Sequence, residues 1–311
     1  MNAYDASDIR LPNGNIRISI TGRCNMNCFY CHNEGQDKVL PKDLSCGDFV
    51  KIFNTAREFG LRKITITGGE PLLHKDFSAI IRYCAQSGLK KIGICTNGIL
   101  IPRHIETLAS MPVIEIAIGI DTCQPDKISK QSDQGILFRD LEKNLRLLKD
   151  RGVRFSINTV YAGWNENEVM DICAYCLGNG INLRIIELDT RRFITAETLT
   201  DGFADILNKV VGRFGLRKET LPLGKGFVGF DQRGVSVRFY DAYCHNRDCV
   251  HCAGWTLRVD ANGQAIICYA RNEKTPILAV VSETMRANFH KALLRSSMLQ
   301  NPEHRIAAVS A

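Results

Sequence analysis

Cys24, Cys28 and Cys31 stand at C-x3-C-x2-C spacing in the run Gly22-Arg-Cys-Asn-Met-Asn-Cys-Phe-Tyr-Cys31. Three thiolates on so short a loop can take three corners of a four-iron, four-sulfur cube, a cluster that normally uses four cysteines. The next cysteine along the chain is Cys46, so one iron would be left open to bind something else. An open iron in a cluster that passes single electrons is a reaction centre rather than a staple. The competing readings are weaker. Disulfides need an oxidising compartment, and structural zinc prefers two CxxC-type pairs or mixed Cys/His sets.

A second cysteine group, Cys244, Cys249, Cys252 and Cys268, lies towards the C-terminus. Cys249 and Cys252 form a CxxC. The turn signal Asp260-Ala-Asn-Gly263 between Thr256–Val259 and Gln264–Cys268 would return Cys268 beside them. Zinc suits such a set, with His245 and His251 nearby, and so does an auxiliary iron–sulfur cluster. Cys46, Cys84, Cys95, Cys123, Cys173 and Cys176 read as small hydrophobes in or beside helices and strands. Cys173-Ala-Tyr-Cys176 falls mid-helix, where no helix start would activate a thiolate. Arg191-Arg192 would meet an anionic substrate from the rim or form a solvated turn.

These groups need a frame that brings them to one edge. From about residue 15 to 215, β-branched runs alternate with amphipathic helical patterns, as in βαβ units around a parallel sheet. The expected strands are Asn15–Thr21, Arg62–Thr67, Lys91–Cys95, Val113–Ile120, Arg154–Val160 and Asn182–Leu188. Helices are expected from near Cys46, Asp76, Arg103, Phe138 and Asn165, with a last one near Gly202–Phe214. Six such units are too few for a closed eight-fold barrel. The fold class is therefore α/β: an open partial (β/α)6 TIM-type barrel over residues 1–215. A smaller cysteine-rich α+β cluster-binding domain follows over 216–311, with short strands at Gly234–Tyr240 and Trp255–Val259. In parallel α/β sheets the chemistry sits at the carboxyl ends of strands. The cysteine loop follows the first strand there, Thr67-Gly-Gly-Glu-Pro71 ends the second, Cys95-Thr-Asn-Gly98 the third and Gly119-Ile-Asp121 the fourth.

The chain has 311 residues, 45% hydrophobic and 23% charged, enough for a full-sized core. Its N-terminus lacks the apolar core of a signal peptide and no apolar run reaches membrane-span length. A cytoplasmic protein with reduced thiols is expected, so 13 cysteines point to metal rather than disulfides. The net charge of +7 is scattered, without an aromatic-interleaved basic block. That favours an anionic small-molecule substrate over nucleic acid or a membrane.

The residues Cys24, Cys28, Tyr30, Cys31 and Gly68-Gly-Glu-Pro71 resemble those of the radical SAM superfamily. The resemblance implies that the open iron holds the amino and carboxylate groups of S-adenosylmethionine. It implies that Tyr30 lies against the adenine, and that Gly68, Gly69 and Glu70 lie near the methionyl end, with Gly119 also on the cofactor side. Reductive cleavage would then give a 5′-deoxyadenosyl radical that abstracts hydrogen, the cofactor supplying the reactivity and the protein the positioning. The C-terminal cysteines would by the same resemblance hold a second 4Fe–4S cluster, closed or open according to whether Cys244 is a ligand. Flavodoxin or ferredoxin would supply electrons.

Within the superfamily the chain is most similar to the GTP 3′,8-cyclases of molybdenum-cofactor biosynthesis. It shares Ile16-Arg-Ile-Ser-Ile-Thr21, the Ile-Thr-Gly-Gly-Glu-Pro strand end and the CxxC–hairpin–Cys tail. Carried over by motif, Arg17, Thr96 and Arg258 match nucleotide contacts. The departures are Thr65 and Thr256 where arginines are usual, no lysine in Val160-Tyr-Ala-Gly-Trp164, a longer Cys252–Cys268 interval, and an Ala307–Ala311 end in place of a glycine pair. The expectation is a radical SAM enzyme acting on a small nucleotide, nucleoside or sugar-type metabolite. GTP cyclisation and peptide or protein maturation are the alternatives. No catalytic residue beyond the cofactor site, and no oligomeric state, is assigned.

Overall fold

Strict alternation of buried isoleucine with polar residues makes the first strands half-buried ladders with one chemical face. The computed structural model describes residues 9–28, 30–31, 33–35, 41–124, 138–163, 165–188, 203–220, 227–240, 256–268, 273–279 and 282–298. Six βα units follow in order. They are β1 (Asn15–Thr21) with α1 (Cys46–Glu58), β2 (Lys63–Gly68) with α2 (Phe77–Gln86), and β3 (Lys91–Thr96) with α3 (Ile101–Ala109). Then come β4 (Ile114–Gly119) with α4 (Phe138–Asp150), β5 (Arg154–Tyr161) with α5 (Glu166–Asn179), and β6 (Asn182–Glu187) with α6 (Phe203–Phe214). Short strands β7 (Arg217–Thr220), β8 (Phe227–Phe230), β9 (Ser236–Tyr240), β10 (Leu257–Val259), β11 (Gln264–Cys268) and β12 (Glu273–Pro276) precede α7 (Ser282–Met298). The α/β class and the count of six rather than eight units are as expected for a partial barrel.

Two compact units divide these elements. The first gathers residues up to Cys24, His32–Cys95 and those from Asn246 onward. Within it β1 pairs in parallel with β2, and β2 with β3. On its other side β1 takes β10, also parallel, and β11 and β12 follow antiparallel. Ile16, Ile18, Ile64, Ile66, Ile92 and Ile94 are buried on one face, while Arg17 reaches Thr67 and Cys95 on the other. Ser45 caps α1 by accepting the Asp48 N–H at 3.0 Å. That helix buries Phe49, Ile52, Phe53 and Ala56, and Phe59 beyond it stacks on Phe289 of α7 at 5.2 Å. The expected Asp260–Gly263 turn is present: Asp260 Oδ1 accepts the N–H groups of Asn262 and Gln264, and Lys274 pairs with Oδ2 at 3.0 Å.

The second unit comprises Asn25–Cys31 and Thr96–His245. Its strands β4, β5 and β6 are parallel. Strand β9 adds to β6 in parallel, and β8 and β7 extend it antiparallel. Phe203 of α6 lies 5.8 Å from Tyr161 and 6.3 Å from Phe239, tying helix to sheet. Strands β7, β8 and β12 and helix α7 are additions to the expected elements. None of the described helices is long and apolar enough to cross a membrane.

Candidate active site

Backbone holds the start of the cysteine loop. Gly69 N–H donates to the Thr21 carbonyl at 2.8 Å, and Glu70 N–H to the Arg23 carbonyl at 2.7 Å. A Cβ on Gly69 would lie 2.2 Å from the Arg23 oxygen. One on Gly68, whose φ is +155°, would lie 2.3 Å from the Thr21 oxygen. Side chains do not fit at either position. The close approach that the glycine pair permits here is to Thr21, Gly22 and Arg23. Glu70 is fully buried, and its Oε1 accepts the Leu72 N–H at 2.9 Å, capping the turn over Pro71–Leu73.

Side chains in the first unit add a second tier. Asp43 accepts from Thr21 Oγ1 at 2.5 Å, from Arg23 Nε at 3.0 Å and from Arg23 Nη2 at 2.5 Å. Burial raises the Asp43 carboxyl, but the hydrogen bonds from Arg23 and Thr21 outweigh it and hold the group below its ordinary value. After the cysteines the chain folds back. Asn33 Nδ2 donates to the Gly22 carbonyl at 3.3 Å. Glu34 Oε1 accepts from Arg17 Nε at 3.0 Å, from Arg17 Nη2 and from Thr67 Oγ1 at 3.2 Å. Arg17 Nη1 also reaches Cys95 Sγ at 3.4 Å. Asn33 and Glu34 have φ of +46° and +51°. That region costs a side-chain-bearing residue roughly 1–2 kcal/mol, and it persists where surrounding bonds over-determine it.

The strand register lines up Arg258 of β10, Arg17 of β1, Thr65 of β2 and Gly93 of β3 in one row. Asn15 Nδ2, at the start of β1, donates to Oγ1 of Thr256, just before β10, at 2.7 Å. Two of the expected substrate residues, Arg17 and Arg258, are therefore register neighbours, and both threonine departures lie in or beside their row.

In the second unit Asn97 Nδ2 donates to Asn25 Oδ1 at 2.8 Å, and the Tyr30 hydroxyl donates to Asp121 Oδ2 at 2.5 Å. Burial, then the Asp121 charge, pushes the Tyr30 hydroxyl well above its usual range. Thr96 is buried, and its Oγ1 accepts the Gly98 N–H at 3.1 Å, shaping the turn after β3. Gly119 is exposed, and the nearest atom to a Cβ there would be the Thr96 oxygen at 4.0 Å. Burial pushes the thiols of Cys123 and Cys173 up to about 11 and about 12 and raises that of Cys176 well above its ordinary value, which suits inert packing rather than redox work.

Cys24 is exposed, Cys28 and Cys31 are part-exposed, and none of the three is in a disulfide; Cys31 N–H donates to the Cys28 carbonyl at 3.1 Å. Among the described residues no three His, Cys, Asp or Glu side chains gather closely enough for a single metal ion. A cube differs from an ion in this respect, because its corner ligands are spread around a body much larger than one atom. Three unbridged cysteines on one loop are the donor set that such a body takes. Cys268 lies in β11, while Cys244, Cys249, Cys252 and Arg191–Arg192 fall outside the described residues. Sequence reasoning did not single out Glu34, Asp43 or Asn25. Their roles depend on backbone turns that no local pattern announces.

Comparison with known proteins agrees with this frame. The radical SAM superfamily pattern matches residues 18–176. A Methanococcus vannielii protein named "Probable GTP 3′,8-cyclase" is 34% identical over 292 residues, 89% of this chain and 93% of that protein. The GTP 3′,8-cyclase of Synechocystis is 27% identical over 301 residues, 93% of this chain and 88% of that one. Among solved structures, Streptococcus suis SuiB bound to S-adenosylmethionine superposes with a TM-score of 0.63 at 18% identity, covering 84% of this chain and 60% of SuiB. SuiB bound to precursor peptide SuiA gives 0.68 at 15% identity, covering 95% and 74%. Likeness at that identity shows the fold alone. The chain belongs to the radical SAM superfamily, as an enzyme similar to GTP 3′,8-cyclases that works with S-adenosylmethionine and an iron–sulfur cluster.

Proposed function

We propose that this enzyme abstracts hydrogen from a small nucleotide, nucleoside or sugar-type metabolite. Cys24, Cys28 and Cys31 hold the 4Fe–4S cluster, and Tyr30, Gly68, Gly69, Glu70 and Gly119 border S-adenosylmethionine. The observation that carries the substrate reading is the row Arg258–Arg17–Thr65, in which Glu34 already neutralises Arg17. A face with two guanidiniums, one of them paired to a carboxylate, suits a polar ligand of low negative charge. A triphosphate calls for more cations than this row offers. Thr96, at the end of β3, contributes a hydroxyl.

When bound, the cluster and S-adenosylmethionine supply the power to break an unactivated C–H bond. The chain's own residues do the rest. Gly68 and Gly69 let β2 lie against the loop at Thr21–Arg23, Asp43 braces Arg23, the residue next to Cys24, and Glu34 ties the return of the loop to Arg17 and Thr67. Such bracing keeps the ligand thiolates in place without reorganisation during turnover. The C-terminal set Cys249, Cys252 and Cys268, with or without Cys244, holds a second 4Fe–4S cluster in this proposal, with zinc as the competing occupant. A flavodoxin or ferredoxin delivers the electron, and the enzyme works in the cytoplasm.

GTP cyclisation is the second reading, and the names of the two curated relatives favour it. Anaerobic reconstitution with iron and sulfide counting, followed by assay of 5′-deoxyadenosine release, separates the two. About eight irons per chain supports two clusters and about four supports one. Release with another metabolite and silence with GTP upholds the proposal, whereas GTP-dependent release replaces it with the cyclase. A reconstituted protein that leaves S-adenosylmethionine intact under dithionite removes both readings.

A further inference from the structure

The residue just before Cys31 is tied to the sheet through one carboxylate. Asp121 follows β4, and its Oδ1 accepts the Val160 N–H at 2.8 Å and the Thr159 hydroxyl at 3.2 Å, both from the end of β5. Those two bonds fix the carboxylate on a parallel strand pair, a rigid base. The other oxygen, Oδ2, then faces the Tyr30 hydroxyl at 2.5 Å. Ninety-one positions separate the two residues in sequence. A loop aromatic that only packed by its ring would keep freedom to tilt and slide. One whose hydroxyl is donated to an immobilised carboxylate has its ring plane and depth set by the sheet.

We propose that Asp121 is a positioning residue for S-adenosylmethionine, acting through the Tyr30 hydroxyl. It sets the ring against which the adenine lies, and with it the Cys28–Cys31 turn. The proposal rests on the reading that Cys24, Cys28 and Cys31 carry the cluster and that Tyr30 borders the adenine. No step of the reaction passes through Asp121 itself.

Full-length protein with Tyr30→Phe, Asp121→Ala, Asp121→Asn and the Tyr30→Phe/Asp121→Ala pair tests this. Tyr30→Phe is the telling variant, because it keeps the ring and loses only the hydroxyl. Three readouts are taken. The first is equilibrium S-adenosylmethionine affinity of the reconstituted protein. The second is the rate of cofactor cleavage under dithionite as S-adenosylmethionine is varied, resolved into KM and kcat. The third is urea unfolding of the cluster-free protein. Hydrogen bonds to charged groups are worth enough that each single change should weaken S-adenosylmethionine binding about tenfold. KM should rise more than kcat falls, since the lesion is in placement. The double variant should be no worse than the weaker single, in affinity and in unfolding alike, because both changes cut one bond. Asp121→Asn, which keeps an acceptor oxygen, should fall between wild type and Asp121→Ala. Should Asp121→Ala fail to load its cluster, Tyr30→Phe decides alone. Wild-type affinity in Tyr30→Phe, or losses that multiply in the double, overturns the inference. A wild type that binds no S-adenosylmethionine condemns the cofactor reading instead, so the two failures are told apart.

Discussion

The two stretches of the cysteine loop are held by different kinds of bond. At Thr21–Arg23 the contacts to the end of β2 are backbone to backbone, from Gly69 to Thr21 and from Glu70 to Arg23, with Asp43 and Asn33 adding side-chain bonds, and they depend on the lack of a side chain at Gly68 and Gly69. Over Asn25–Tyr30 they are side chain to side chain, from Asn97 to Asn25 and from Tyr30 to Asp121. A backbone anchor is nearly all-or-none, since one methyl group in the wrong place displaces the strand end. A side-chain anchor can be weakened by degrees. The first therefore fixes whether the loop exists in its place, and the second sets how finely its aromatic residue is aimed.

The largest break in that comparison is Gly69→Ala. A Cβ 2.2 Å from a carbonyl oxygen cannot be relieved by rotating a side chain. Overpacking of this kind should lower stability by about 3 kcal/mol or more and empty the N-terminal cluster site. Urea unfolding and iron counting check it, and a variant with wild-type midpoint and iron would show that the loop is not seated by this contact. Next comes Arg17→Ala, which leaves the Glu34 carboxylate, 12% exposed, without its guanidinium. Stranding a largely buried charge should cost about 2–3 kcal/mol. Glu34→Gln should cost less, because an amide oxygen still accepts from Arg17. Equal costs for the two would argue that Arg17 is held by something other than Glu34. On the side-chain half, Asn97→Ala should remove about 2 kcal/mol, because it cuts both the bond to Asn25 and the one that Asn97 Oδ1 accepts from the Ile99 N–H. A loss as deep as that of Gly69→Ala would erase the distinction between the two kinds of anchor.

How much of this was legible beforehand follows the same division. The strands from β1 to β3 announce themselves, because Ile16, Ile18, Ile64, Ile66, Ile92 and Ile94 recur at period two. The turn residues that end them, from Thr67 to Pro71 and from Cys95 to Gly98, mark the edge where chemistry collects. What could not be read is long-range pairing. Nothing local says that β10 joins β1 in parallel, which is what brings Arg258 beside Arg17. Nor does Glu34 reveal that it will turn to positive φ and meet an arginine 17 residues earlier. Strands β7 and β8 are four residues each, too short for a periodic signal. Helix α7 buries Met285, Phe289, Ala292 and Leu293 at helical spacing, but Ala287 and Leu294 among its other positions blur the periodic signal.

The smallest effect sharpens the account of the loop's first stretch through pH. The Asp43 carboxyl, bonded to Thr21 and Arg23, has its pKa lowered in the folded protein. Unfolded, it returns to about 3.9. A group whose folded pKa is depressed contributes stability that is present above the unfolded value and is lost as pH falls through the folded one. The stability gap between wild type and Asp43→Asn should therefore be constant above about pH 5 and close as the pH drops below about 4. The pair is partly solvated, with Arg23 45% and Asp43 30% exposed, so the whole gap should stay near 1 kcal/mol or less and shrink with salt. Urea midpoints at several pH values and two ionic strengths measure it. A gap that persisted unchanged at the lowest pH would mean that Asp43 works by shape rather than charge. The bracing of Arg23 beside Cys24 would then belong with the backbone anchors, all-or-none like Gly69, instead of forming a tunable second tier at the loop's first stretch.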